Sequence, residues 1–159
     1  SMKNIQEAVK AFQAVEHRIE FVRELDGVKY YNDSIATSPT RVIAGLNSFD
    51  QKLIVIAGGY DKKIPFEPLA PKLIEKCKLL ILMGLTADKI EKAVTECNGY
   101  DPQELRIIRV STMEEAGAAA RENAGKGDIV TLSPACASFD KYPNFEVRGN
   151  HYKGLVNAL

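Results

Sequence analysis

Leu53-Ile54-Val55-Ile56-Ala57-Gly58-Gly59 is the stretch that decides the fold. Its five apolar residues run without polar alternation and stop at paired glycines, which is the length and punctuation of a strand rather than a helix. A strand apolar on both sides is buried on both faces, as in a parallel sheet covered by helices. The same grammar recurs downstream. Leu79–Met83 is a second apolar run that ends at Gly84, Arg106–Val110 a third and Asp128–Leu132 a fourth. The intervening segments have helical spacing over Leu69–Lys76, Ala87–Cys97 and the alanine-rich 114–124, and a last helix spans 144–158. Thr86 stands where it can cap the helix beginning at Ala87, and Ser111 with Glu114 has capping-box spacing for the next.

Upstream of Leu53, Ser38-Pro39 reads as an N-cap and first-turn proline opening a helix to about Asn47. Two β-like runs, Arg18–Leu25 and Val28–Asn32, flank Asp26-Gly27, a hairpin signal. Residues 4–14 place Ile5, Ala8, Val9 and Phe12 at helical spacing. The fold expected is α/β in three layers: a mostly parallel sheet, helices on both faces, and an N-terminal hairpin adding an edge strand.

Composition fits one ordinary domain over 1–159. Apolar residues make up 45% of the 159 and charged residues 26%, close to the globular average. Lys+Arg and Asp+Glu both number 21, which argues against a nucleic-acid binder that works by bulk charge. No apolar run approaches the roughly 18 residues of a membrane span. Residues 1–20 lack a signal-peptide core, and Ser1 ahead of Met2 reads as a cloning scar. Cys77, Cys97 and Cys136 are widely separated, which suggests reduced cytosolic thiols and neither a disulfide frame nor a zinc site.

Ligands of open parallel sheets bind beyond the carboxyl ends of the strands. Four segments should reach that edge: Asn32–Pro39, Gly58–Lys63, Gly84–Thr86 and Ser133–Asn144. Asn32–Pro39 puts Asp33, several hydroxyls and a helix N-terminus together, either as an anion site or as ordinary turn caps. Gly58–Lys63 is either a close-approach loop with a pairing lysine or a solvated turn; it has neither GxxxxGK[ST] nor GxGxxG spacing. In Ser133–Asp140, Cys136 invites a nucleophile reading, yet no histidine lies near it in sequence and a free cysteine is more often a small core residue. His17 and His151 read as structural. Of the first turn of the last helix, Phe145 reads as core and Arg148 as surface.

The order His17-Arg18, Asn32-Asp33-Ser34-x-Ala36-Thr37, Gly58-Gly59-x-x-Lys62, and Ser133-Pro134-Ala135-Cys136-Ala137-Ser138 running into Asn144-Phe145-x-x-Arg148-Gly149 resembles the C-terminal domain of the Mur ligase family, in the branch that adds D-glutamate to UDP-N-acetylmuramoyl-L-alanine. The resemblance covers nearly the whole chain from Ile5. It implies a Rossmann-like third domain that follows an N-terminal domain holding the UDP sugar and a central domain carrying the P-loop and most magnesium ligands. The implied reaction is acyl-phosphate formation from ATP, then attack by the D-glutamate amine, with Mg2+ held mainly by the central domain. The setting implied is the bacterial cytoplasm, as a monomer, with no nucleic-acid or membrane partner. Carried over by position, Arg18 and Asp33 touch ATP, Lys62 pairs with a D-glutamate carboxylate, and Thr37, Ser138, Phe139 and Phe145 line the amino-acid pocket. None of these is a nucleophile or base, and no metal ligand is expected here. The family's best-studied form has lysine at Ile35, so this chain lacks one cation there; either another group, Lys63 or Arg41, compensates or the closed geometry differs. The other readings are a free-standing anion- or nucleotide-binding module and a sister ligase for another amino acid.

Overall fold

The structure is a computed structural model and describes residues 15–159; the helix expected at 4–14 lies outside the described residues. Strands β1 (Glu20–Leu25), β2 (Val28–Asn32), β3 (Leu53–Ala57), β4 (Cys77–Leu82), β5 (Arg106–Arg109) and β6 (Ile129–Leu132) form a six-stranded sheet ordered β1-β2-β6-β3-β4-β5. Strand β1 pairs antiparallel with β2 at the edge, and every other pairing is parallel. The hairpin turns at Asp26 (φ 53°) and Gly27 (φ 79°), the two positive φ values that a turn matched to strand twist requires.

Helices α1 (Pro39–Leu46), α2 (Ala70–Lys76) and α3 (Ala87–Thr95) cover one face; α4 (Met113–Asn123) and α5 (Phe145–Asn157) cover the other. Strand β3 shows why. Leu53, Val55 and Ala57 pack with Val42, Leu46, Leu73, Ile90 and Val94 on the first face. Ile54 and Ile56 point the other way, onto Met113, Ala116, Ala120, Tyr152 and Val156. All five β3 side chains are at most 2% exposed, and each Leu or Ile so placed contributes about 1.5–3 kcal/mol.

The chain steps outward from β3 to β4 to β5, then returns to lay β6 between β2 and β3. That reversal opens a crevice at the carboxyl ends of β6 and β3, and the loops after β2, β3, β4 and β6 meet there.

Two expected caps are different in the structure. Thr86 is helical (φ −94°, ψ 0°) and caps nothing with its side chain; its hydroxyl accepts the Gly59 N–H at 3.0 Å instead. The cap of α4 is Thr112, accepting from Glu115 N at 3.1 Å, and not Ser111. Ser38 does cap α1, accepting from Arg41 N, with Pro39 at the start of the helix.

Gly58 has the least room. Its φ is +114°, and a Cβ there would sit 1.9 Å from the Met83 carbonyl oxygen. Gly58→Ala therefore strains its own backbone and pushes β3 from β4. The expected loss is about 2 kcal/mol or more, a fall of roughly 4–8 °C in Tm for a domain this size, measured by thermal unfolding.

Candidate functional site

Two loops at the carboxyl edge are tied by one buried side chain, and a third joins them through its backbone. Arg148, on the first turn of α5, is 3% exposed. Its Nε donates to Ser34 Oγ (3.0 Å), Nη2 to the Ser34 carbonyl (2.9 Å) and Nη1 to the Cys136 carbonyl (2.9 Å). Burial pulls its pKa down to about 10. The surface reading of Arg148 is thus corrected: the residue faces inward and joins the loop after β2 to the loop after β6. Ser34 Oγ in turn donates to the Phe145 carbonyl at 2.7 Å, and Ala135 N–H donates to Ala36 O at 3.0 Å. The loop after β3 joins through a bridge between Tyr60 and Ala137, with Tyr60 N–H donating to Ala137 O at 2.9 Å. Gly58 and Gly59 are buried in that junction, so the solvated-turn reading holds only for the exposed Lys62 and Lys63 beyond them.

His17 supports the same edge from below. Asn32 Nδ2 donates to His17 Nδ1 (2.8 Å) and to Glu20 Oε1 (3.1 Å), which places the proton of a neutral ring on Nε2. Burial lowers the His17 pKa and so favours that neutral form. Gly149 lets α5 reach the ring, since a Cβ there would lie 2.1 Å from Nδ1. His17, Ile19, Lys63 and Ala135 all hold positive φ, an uncommon backbone state that collects at functional sites.

Arg18, Asp33, Ile35, Arg41 and Gly45 line a pocket of about 280 Å³. Asp33 is buried, accepts the Ile19 N–H at 3.1 Å and has its pKa pushed up to about 7 by loss of solvent. Gly45 makes space for it: a Cβ there would lie 2.6 Å from Asp33 Oδ2. Of the two cations weighed as substitutes at Ile35, Arg41 lines this pocket; Lys63 lines a separate groove beside α3.

The positions expected to contact the amino acid lie on the loops after β2, β3 and β6 and at the start of α5. Thr37 follows Ala36 in the loop after β2. Ser138 is buried, with its carbonyl accepting from Lys141 and Tyr142 N–H groups. Phe145 is half-buried and meets the His17 ring edge-on at 5.9 Å. Phe139 is 65% exposed and packs only its edge against Tyr60, at 6.0 Å. Lys62 is exposed; the ion pairs of its loop join Asp61 to Lys63 and Lys89 and leave Lys62 out. Cys136 is buried, shares a 3.2 Å contact with Thr86 Oγ1, and burial raises its thiol to about 11, which suits a small core residue and not a nucleophile. Sequence reasoning missed the inward turn of Arg148 and the roles of Ser34, Asn32 and Tyr60. The one available signal was Gly149 beside Arg148, a glycine inside a helix that asks for a packing reason.

A mostly parallel α/β sheet with helices on both faces, and with loops gathered around a buried cation at its carboxyl edge, places the chain among Rossmann-like domains. The profile described as "Mur ligase, glutamate ligase domain" matches residues 17–136, and the chain belongs to the Mur ligase family. A UDP-N-acetylmuramoylalanine--D-glutamate ligase of Clostridium botulinum (strain Okra / Type B1) is 62% identical over 148 residues, 93% of this chain and 32% of the relative. The ligase of the same name from Clostridium acetobutylicum is 61% identical over the same shares. The chain thus spans about a third of the length of the curated relatives it matches. Among solved structures, a murein peptide ligase from Psychrobacter arcticus aligns over 91% of this chain and 30% of its own, with a TM-score of 0.60 at 13% identity. A domain of a Haemophilus ducreyi protein, titled a putative UDP-N-acetylmuramate:L-alanyl-gamma-D-glutamyl-medo-diaminopimelate ligase, aligns over 89% of this chain and 98% of its own, with a TM-score of 0.55 at 15% identity. These two share the fold.

Asp33 carries a pH signature. Its carboxyl titrates near 7 in the folded state against 3.8 ordinarily, so between about pH 4 and 7 the folded chain holds a proton that the unfolded chain has lost. Stability from this group falls as pH rises through that window and stays low above it. Asp33→Asn removes the fall: the variant matches the parent at pH 4 and exceeds it at pH 8 by up to a few kcal/mol, read by urea denaturation at both pH values.

Proposed function

We propose that this chain is the amino-acid-binding part of an ATP-dependent ligase that joins D-glutamate to UDP-N-acetylmuramoyl-L-alanine in peptidoglycan synthesis. The observation that carries the reading is the 62% identity to a ligase of that name. An alignment of 148 residues within 159 spans every candidate position from Arg18 to Phe145.

The chemistry of the site supports it. D-glutamate carries two carboxylates and an amine. The exposed Lys62 ammonium, in no ion pair of its own loop, pairs with one carboxylate by a charge-assisted hydrogen bond. The Thr37 and Ser138 hydroxyls hold the remaining polar atoms, and Phe139 and Phe145 supply apolar walls. These groups orient the amine towards the acceptor, which is the entropic part of the rate enhancement. No proton transfer is assigned to them.

The pocket at Asp33 has donors and an acceptor that suit a nucleotide. The Asp33 carboxyl can accept from a ribose hydroxyl, while Arg18 and Arg41 offset phosphate charge. ATP, when bound, supplies the phosphoryl group that activates the acceptor carboxylate. Among the described residues no three His, Cys, Asp or Glu side chains gather as a metal site, and Mg2+ is assigned to the preceding domains of the enzyme. Those domains and the nucleotide sugar are the partners that the open rim at Phe139 awaits. No helix of the described residues is long and apolar enough to cross a membrane, and the bacterial cytoplasm is the proposed setting.

In the complete ligase, Lys62→Ala should raise the KM for D-glutamate roughly 10- to 150-fold, the effect of losing about 1.5–3 kcal/mol of a charged hydrogen bond. An unchanged KM overturns the role of Lys62. The chain alone, given ATP, D-glutamate and the nucleotide sugar, should release no phosphate above background; release would overturn its assignment as a part of the enzyme.

A further inference from the structure

Among the described residues, Arg148 has no carboxylate hydrogen-bond partner. It spends three of its N–H donors on Ser34 Oγ, Ser34 O and Cys136 O, and a guanidinium has five, so two remain. A buried cation left without a counter-charge is costly. Nearby stands the complementary defect. Asp140 Oδ2 is buried and has no hydrogen-bond partner among the described residues, although buried carboxylate oxygens are nearly always satisfied. Both residues line one small cavity of about 10 Å³, closed by Gly58, Gly59, Gly84, Met83 and Tyr142. That is the space one water occupies, roughly 10–15 Å³. The two glycine turns leave the room for it. A Cβ on Gly84 would meet Asp140 Oδ2 at 2.6 Å, and one on Gly59 would meet Arg148 Nη1 at 3.4 Å.

We infer that Asp140 is the counter-charge of Arg148, joined to it by a single buried water, and that this bridge positions the substrate loop Ser133–Asn144. The water donates one hydrogen to Asp140 Oδ2, accepts from a spare Arg148 N–H, and has its second hydrogen for a backbone carbonyl of the glycine turns. A cation is a poor occupant because the guanidinium shares the cavity. Asp140 directly follows Ser138-Phe139, so the bridge sets where these two face. The loop's far side is pinned separately, by the 2.6 Å hydrogen bond between Tyr142 Oη and His151 Nδ1. Without the bridge, the segment between Cys136 and Tyr142 keeps its backbone bonds and the Lys141 Nζ bond to the Ser111 carbonyl, and loses the anchor of its Asp140 carboxylate. Asp140 touches no reacting atom and is a positioning residue.

A crystal structure of this chain at about 1.5 Å resolution tests the bridge itself. The expected result is one water peak within about 2.7–3.2 Å of both Asp140 Oδ2 and an Arg148 nitrogen. A direct Asp140–Arg148 ion pair, a dry cavity, or an Asp140 bonded elsewhere overturns it. The positioning role rests on the ligase reading, and kinetics of the complete enzyme test it. Asp140→Ala should raise the KM for D-glutamate about tenfold with the KM for ATP unchanged, and Asp140→Asn, whose amide oxygen can still accept from the water, should recover most of the loss. A KM for D-glutamate equal to the parent's in Asp140→Ala, or equal loss in both variants, overturns the role. Failure of the ligase reading shows as inactivity of the parent enzyme and leaves the crystallographic result standing.

Discussion

The buried Arg148 guanidinium holds together segments more than a hundred residues apart, and the carboxyl edge depends on it. Taking a guanidinium out of water is unfavourable enough to pull its pKa down to about 10. The cost is offset by three hydrogen bonds whose acceptors lie on two loops, which the pairing of β2 with β6 and the Ala135–Ala36 backbone bond also hold side by side. Arginine suits this task better than lysine, because its planar fork addresses both Ser34 and Cys136 at once. Around it the small residues are a geometric necessity. Gly59, Gly84 and Gly149 mark the places where neighbouring backbones and rings approach too closely for a side chain.

The sheet and its rim divide the work. The central strands are dry on both faces and supply a rigid frame. The polar residues that remain buried lie at or beside the strand ends: His17, Asn32, Asp33, Ser34, Thr86, Thr131, Ser133, Ser138 and Arg148. Each must be satisfied locally because water does not reach it, and the resulting hydrogen-bond network fixes the loops. Lys62 and Phe139, proposed above as substrate contacts, are exposed.

Much of the fold could be read from local pattern. The uninterrupted apolar run of Leu53–Ala57, the Asp26-Gly27 turn and the Ser38-Pro39 helix start each depend on neighbours within a few residues, so periodicity and turn chemistry reveal them. The caps at Thr86 and Ser111 were misread for an equally physical reason. A hydroxyl at a helix start has more than one acceptor or donor to choose from. Thr86 takes the Gly59 amide, 27 residues away, and Thr112 competes successfully with its neighbour Ser111 for the helix N-terminus. The candidate site was legible as a set of segments and as a family resemblance, but not as an arrangement.

By itself, the sequence determined the rhythm of strands and helices, the burial of both sheet faces, and the presence of polar and glycine-rich segments at one edge, because these follow from side-chain period and backbone freedom along a short stretch of chain. Only the tertiary structure decided the inward turn of Arg148, the carboxyl of Asp33 titrating near 7, the small cavity beside Asp140, and the joining of Tyr60 to Ala137. Those features depend on desolvation and on contacts between segments brought together by the crossover from β5 back to β6. Neither the local dielectric nor a long-range hydrogen bond has any signature in the order of neighbouring residues.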